Sequence, residues 1–292
     1  MSGFFVGRST WDLDFVVQAY PDEDTKVRAD KLLSMAGGPG LNAAVVYAAF
    51  GFPATLYSVV GSGRLADAVR EDVGGFRVRI IDAAPGQHDV LPVSSVVVNE
   101  VKATRTVVSS NPQVEVQRPT EEVWRTLEGS RVVLIDGHIP DLALPVIREA
   151  KRRGIPVVMD GGNWREVHAE LLPFVDYAVV SEQFLPPGTR TADEVFAHLE
   201  DVGVAHVAIT RGERPLSWRA DGEGGDIAPP TVEAVDTLGA GDIFHGAFCW
   251  SLVQQGDFVA ALRFAAEVAA FSTTMWGTRS WIPAWLERTK KG

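Results

Sequence analysis

Between residues 131 and 209 short β-branched runs alternate with helical patterns. Residues 131–135 (Arg131-Val-Val-Leu-Ile135) read as a strand. Residues 142–153 read as a helix, with Leu142, Leu144, Val146 and Ile147 apolar and basic residues at the end, stopped by Gly154. Further strands are expected over 155–159, 175–180 and 204–209, and a helix over 191–201. Strands alternating with helices of about 10–15 residues imply right-handed βαβ units and a parallel sheet covered on both faces.

Two stretches break that rhythm. Residues 13–19 and 26–35 read as extended, with Pro21 between them; so do residues 93–98 and 104–108, joined by Asn99-Glu-Val-Lys102. These hairpin-like pieces, at about 13–35 and 92–108, are expected to form a small β lid inserted into one domain spanning residues 1–292. From Ala240 onward the pattern is nearly all helix, over 243–255 and then 258–275. Ligands of such sheets bind beyond the carboxyl ends of the strands.

The chain has 292 residues, 46% hydrophobic and 22% charged, enough to bury a core without staples. The single cysteine, Cys249, excludes an internal disulfide and a four-cysteine zinc site and points to a reducing compartment. A net charge of −11 argues against nucleic acid or a membrane surface as partner. No leader-like start and no run of about 18–20 apolar residues is visible, so the expected location is cytoplasmic.

The strongest chemical signal is Asp236-Thr237-Leu238-Gly239-Ala240-Gly241-Asp242, a glycine-rich turn running into an apolar helix. Backbone N–H groups at a helix start have no internal partner, and the helix dipole adds positive potential, which makes an anion site. Asp242 is a carboxylate in that first turn: either a helix cap, or a base held beside an anion hole. No GxxxxGK[ST] loop occurs.

This segment resembles the C-terminal signature of the ribokinase-like (PfkB) family of sugar and nucleoside kinases. Gly37-Gly38-Pro39-Gly40-Leu41-Asn42 resembles the family's N-terminal signature, and Gly7-Arg-Ser-Thr-Trp-Asp12 its first strand end with a substrate-binding Asp. The resemblance implies an α/β fold of three α/β/α layers with a mostly parallel central sheet and a small β lid. It implies phosphoryl transfer from ATP, with Mg²⁺, to a hydroxyl of a small sugar. Asp242 would be the general base, with the N–H groups of Gly239, Ala240 and Gly241 as the anion hole. Asp12, Gly37, Gly38 and Asn42 would line the acceptor pocket, with Asp14 an alternative to Asp12 and Arg105 reaching in from the lid. Ser181, Thr210, Gly212 and Gly277 are the nucleotide-side candidates. Glu182 is the candidate for the metal, and Asp236 with the Leu238 carbonyl for a monovalent cation such as K⁺. Exposed lid edges would suit a homodimer.

The run Ser181-Glu182-Gln183-Phe184 departs from the Asn-x-x-Glu of many relatives, and Gly61-Ser-Gly-Arg-Leu65 is short against their Gly-x-Asp turn. Asp160-Gly-Gly-Asn163-Trp-Arg165 resembles the Asp-x-Asn-x-Arg of some sugar kinases; its alternative is a strand-end turn with Asn163 as helix cap. His138 reads as structural. Three other functions compete: a nucleoside kinase using Trp11 and Tyr20 for stacking, a non-catalytic sugar sensor, and a dinucleotide-binding oxidoreductase. The last rests on Gly38-x-Gly40-x-x-Ala43, which should close a first β-turn-α unit.

Overall fold

A computed structural model describes residues 1–102 and 104–290. Ala103, inside the second expected hairpin, and residues 291–292 lie outside the described residues. The strands are β1 (Ser2–Val6), β2 (Thr10–Val17), β3 (Lys31–Gly37), β4 (Ala54–Ser58), β5 (Val78–Asp82), β6 (Val93–Asn99), β7 (Thr104–Ser109), β8 (Ser130–Ile135), β9 (Val157–Gly161), β10 (Tyr177–Ser181), β11 (His206–Arg211), β12 (Arg214–Ala220) and β13 (Glu223–Ile227). The helices are α1 (Pro39–Ala49), α2 (Arg64–Gly74), α3 (Glu121–Glu128), α4 (Pro140–Arg152), α5 (His168–Leu171), α6 (Ala192–Asp201), α7 (Ala240–Gln255), α8 (Phe258–Ser272) and α9 (Trp281–Lys290).

Nine strands form one sheet in the order β13-β12-β11-β10-β9-β8-β1-β4-β5, and four form a second, β3-β2-β6-β7. From β11 to β5 every pairing in the large sheet is parallel. Alternation along each strand sends neighbouring side chains to opposite layers. Phe5, Val132 and Leu134 pack with α1, α2, α7, α8 and α9, while Phe4, Val133 and Ile135 pack with α3, α4 and α6. Buried on both faces, these strands read as continuous apolar runs, which is why the sequence exposed them.

The expected hairpins exist: β2 pairs antiparallel with β3, and β6 with β7, while β2 and β6 join them in parallel. The inner face of this lid carries Asp12, Asp14 and Val16 with Ser94, Val96 and Val98, and it packs on Leu238 and Trp276. The strand preceding α1 is therefore the lid strand β3, not β1. The dinucleotide fingerprint at Gly38-x-Gly40 lacks the β-turn-α context it requires.

Some boundaries differ from expectation. β9 begins at Val157 and runs through Asp160 and Gly161, because those residues pair with Val179 and Val180 of β10. The hairpin β12–β13, invisible as an apolar run, extends the sheet edge antiparallel. The final long helix α8 ends at Ser272, three residues before its expected end at 275.

Candidate active site

The start of α7 is a left-handed Gly239 with φ 69°; a Cβ there would lie 2.7 Å from Thr278 Cγ2. Only glycine makes that bend without strain. Among the described residues the N–H groups of Gly239 and Gly241 meet no acceptor, while Ala240 N–H donates to the Thr237 carbonyl at 3.3 Å. Two of the three expected anion donors are thus free and the third is weakly engaged.

Asp242 follows on the wall of a cavity of about 210 Å³ that also admits Asp12, Asn42, Gly38 and Gly239. Asp242 is not the N-cap of α7; Gly239 is. The helix is brought to α1 at Gly246, where a Cβ would fall 2.5 Å from the Ala43 carbonyl oxygen. That close approach lets Asn42 Nδ2, one turn away, donate to Asp242 Oδ2 at 2.7 Å. Burial first, and then the neighbouring Asp160 charge, push the Asp242 carboxyl up, the Asn42 hydrogen bond opposes them, and the balance lies at about 7.

Asn42 is itself held. Its Oδ1 accepts from Arg279 Nη1 at 2.9 Å, and Arg279 also donates to Thr278 Oγ1 at 2.8 Å and to the Ala36 carbonyl at 3.2 Å. Asp72 lies 3.5 Å from Arg279 Nε. Arginine only donates and an ionised carboxylate only accepts, so the Asn42 amide has one orientation that satisfies both neighbours. Beneath Asp242, the His245 ring faces the Gly241 carbonyl at 2.7 Å and the Val179 carbonyl at 3.0 Å, with Asp160 Oδ2 at 3.5 Å.

On the lid side, Asp12 accepts from Thr10 Oγ1 at 2.8 Å, and burial raises its carboxyl above the usual range. Gly37 lies against that carboxylate: a Cβ there would sit 1.8 Å from Asp12 Oδ2. Asp14 is deeper, 1% exposed and off the cavity wall, so Asp12 is the residue positioned to meet an acceptor. Arg105 donates to Thr237 Oγ1 at 2.7 Å, linking the lid to the glycine bend.

Of the remaining candidates, Ser181, Glu182, Thr210 and Gly212 lie at the carboxyl ends of β10 and β11, and Asp236 and Gly277 lie in the turns beside the glycine bend. Ser181 Oγ donates to the Gly162 carbonyl at 3.1 Å and accepts from Gln183 N–H at 3.1 Å. Thr210 Oγ1 donates to the Val180 carbonyl at 3.3 Å, and Gly212 (φ 63°) turns β11 into β12. Asp236 accepts Leu238 N–H and Gly277 N–H, each at 2.9 Å, and so ties the glycine bend to the Gly277 turn. Glu182 pairs with Arg214.

No group of three His, Cys, Asp or Glu suited to a metal gathers among the described residues. This donor set does not form an all-protein cage. It fits a Mg²⁺ that keeps most of its waters and is carried by nucleotide phosphates, with one carboxylate nearby.

Four residues of this neighbourhood were not among the expected site residues. Asp136 accepts N–H groups from Arg8 (2.7 Å), Gly40 (3.1 Å) and His138 (2.9 Å), fixing three loops at one carboxylate. Arg279, Arg8 and His138 complete the set. Their roles come from tertiary juxtaposition, and no local spacing announces them. Asn163 does not cap α5, whose N-cap is Val167. Trp11 donates its indole N–H to Ser34 and Tyr20 its hydroxyl to Thr104, and neither is on the cavity wall.

A family model described as pfkB family carbohydrate kinase matches residues 4–285. A ribokinase of Arabidopsis thaliana is 27% identical over 97% of this chain and 78% of its own. A deoxyribokinase of Salmonella typhi is 25% identical over 96% of this chain and 94% of its own. The structure of an Arabidopsis thaliana ribokinase complexed with ribose and ATP superposes with a TM-score of 0.77 at 22% identity, covering 97% of this chain and 94% of that one.

Proposed function

The chain belongs to the pfkB family of carbohydrate kinases and is an ATP-dependent carbohydrate kinase; from that premise we propose that it transfers the γ-phosphoryl group to a hydroxyl of a small sugar or sugar derivative at the Asp12–Asn42–Asp242 cavity. The single observation that supports this most is Asp242 on the cavity wall together with Gly239, whose N–H is free, with the free N–H of Gly241 in the same first turn of α7.

The sugar is held by Asp12 and by Asn42, which lines the same cavity and keeps one N–H and one lone pair beyond its bonds to Asp242 and Arg279. Asp242 takes the proton of the acceptor hydroxyl as that oxygen bonds to the γ-phosphorus. The bond from phosphorus to the bridging oxygen breaks, and ADP leaves with its electron pair. The N–H groups of Gly239 and Gly241 stabilise charge on the equatorial oxygens of the moving phosphoryl group, with the positive end of α7 behind them. Glu182 is the carboxylate that would serve Mg²⁺ through water, and the ion would supply charge neutralisation at the phosphates. Ser181, Thr210, Gly212 and Gly277 border the nucleotide side. A monovalent cation at the Leu238 carbonyl would have to share Asp236 with the two N–H groups it already accepts.

Two observations favour a sugar over a nucleoside: Trp11 and Tyr20 are off the cavity wall, and most side chains on that wall can hydrogen-bond. A second copy of the chain through the lid belongs to the same reading, because β7 is exposed along its whole length as an edge strand.

The test is ADP formation from ATP and Mg²⁺ across a panel of sugars and nucleosides. Asp242→Asn is expected to lower kcat about 10²–10⁴-fold while ATP still binds. Burial raises the Asp242 carboxyl, so it is protonated, and unable to accept, below about 7. kcat/KM for the acceptor should therefore fall about tenfold per pH unit on the acid side. Equal activity of the variant, or turnover only of nucleosides, would overturn the reading.

A further inference from the structure

The same cavity carries two donor side chains, Arg8 and His138, for which the transfer chemistry has no use. Arg8 leaves the carboxyl end of β1 and its side chain reaches the cavity. One Nη2 donates to the Ser110 carbonyl at 3.0 Å and lies 3.4 Å from Ser109 Oγ. Its Nε is shut off from solvent and meets no acceptor among the described residues. His138 opens onto the same cavity, and its Nδ1 faces Arg165 Nη1 at 3.1 Å. Arginine can only donate, so Nδ1 accepts and the ring hydrogen belongs on Nε2, leaving a second donor free.

The nearest carboxylate does not answer these donors. Asp136 is occupied by three backbone N–H groups, including those of Arg8 and His138 themselves. Burial disfavours charge on both side chains; the Asp136 charge offsets part of this, and Arg165, nearby, works against it. A guanidinium that is partly desolvated and short of acceptors is costly unless an oxyanion completes it. Arginine's planar fork matches phosphate and carboxylate oxygens.

We propose that the acceptor is an anionic sugar derivative whose phosphate or carboxylate group is bound by the Arg8 guanidinium and His138 Nε2–H while a hydroxyl is presented to Asp242. This rests on the kinase reading above and narrows its substrate class. Arg8 and His138 are then specificity residues: they touch the part of the acceptor that does not react. The competing role is a clasp, in which Arg8 only fastens the end of β7 through Ser109 and Ser110.

The experiment uses matched acceptors differing in an anionic group: D-fructose against D-fructose 1-phosphate and D-fructose 6-phosphate, D-ribose against ribose 1-phosphate, and D-glucose against D-gluconate. For each, kcat/KM is measured by ADP release, and binding by calorimetry without ATP. At least one charged member is expected to exceed its neutral partner. Arg8→Gln should lower that selectivity ratio about 10–100-fold, the loss of a charge-assisted pair, mainly through KM. Arg8→Lys should recover part of it, and His138→Gln should show a smaller loss. Phosphate and carboxylate arms separate the two anion sources. A clasp would lower both members of a pair together and leave the ratio unchanged, which overturns the proposal. Turnover confined to neutral members overturns it as well and leaves the kinase reading standing. Binding of a charged member with no ADP formed by any acceptor breaks the kinase reading and keeps the anion site. Binding of neither kind sinks the proposal.

Discussion

Asp136 and Asp14 are both sealed from solvent, 3% and 1% exposed, and the two sheets treat them in opposite ways. At the end of β8, in the nine-stranded sheet, Asp136 is met by three backbone N–H groups. Inside the four-stranded lid, both oxygens of Asp14 are without a partner among the described residues. The first arrangement turns a buried charge into fixed backbone geometry, holding the loop after β1, the start of α1 and the loop after β8 in register. The second leaves a charge that the fold does not satisfy. The large sheet is therefore where stability and catalytic geometry coincide. The lid gives up stability beside the cavity.

The sharpest way to break this contrast is to remove the satisfied carboxylate. Asp136→Ala strands three buried donors, each bonded to a charged acceptor worth about 1.5–3 kcal/mol. A loss of about 3–5 kcal/mol in denaturant unfolding is expected, allowing for partial rescue by water. A loss under about 1 kcal/mol would mean that the three loops hold themselves.

The contrast also explains what could be read in advance. The βαβ alternation over 131–209 was legible because strands buried on both faces are written as unbroken apolar runs. The Asp236–Asp242 segment was legible because a glycine bend before an apolar helix is local. The β12–β13 hairpin was not, since Arg214-Pro215 and Gly224-Gly225 give no apolar alternation and its pairing depends on the edge that β11 offers. Asp136 and Arg279 were not, because each acts on segments remote in sequence: Arg279 meets Asn42 across 237 positions. His138 read as structural from its place at a strand end, yet it opens on the cavity, because Asp136 turns its backbone there.

Arg279 sharpens the comparison from the other side, as a buried cation whose Nη groups are hydrogen-bonded to Asn42, Thr278 and Ala36 and whose Nε has only Asp72 at 3.5 Å. If Asn42 is oriented by Arg279, Arg279→Met frees the amide to rotate and weakens its hydrogen bond to Asp242. kcat should fall about 10–10²-fold, less than on loss of Asp242 itself. A merely structural role would stop there. A positioning role also shifts the pH profile: both the Asn42 hydrogen bond and the Arg279 charge favour ionised Asp242, so losing them moves the acid limb to higher pH. Arg279→Lys, which keeps the charge and loses the fork, should restore the limb more than the rate. An unmoved limb in the Met variant would reduce Arg279 to packing.

The smallest effect is the most direct test of the lid. Burial raises the Asp14 carboxyl to about 7, with Asp12 and Asp236 pushing the same way and Arg105 opposing. Its folded value lies above its unfolded one, so its contribution to stability is complete below about 4 and is lost as pH rises through about 7. At pH 8 the lid therefore holds an ionised group without partners, between Leu33 and Val96 and on the face that meets Leu238. Asp14→Leu removes the charge and suits those neighbours. It should stabilise the protein by about 1–3 kcal/mol at pH 8, the penalty of an unsatisfied buried polar group, and by much less at pH 5, where Asp14 is already protonated. Urea unfolding at the two pH values reads the difference. A gain equal at both would assign the effect to packing, whereas destabilisation at pH 8 would mean that Asp14 has a partner in solution and that the lid is not the unsatisfied half of the molecule.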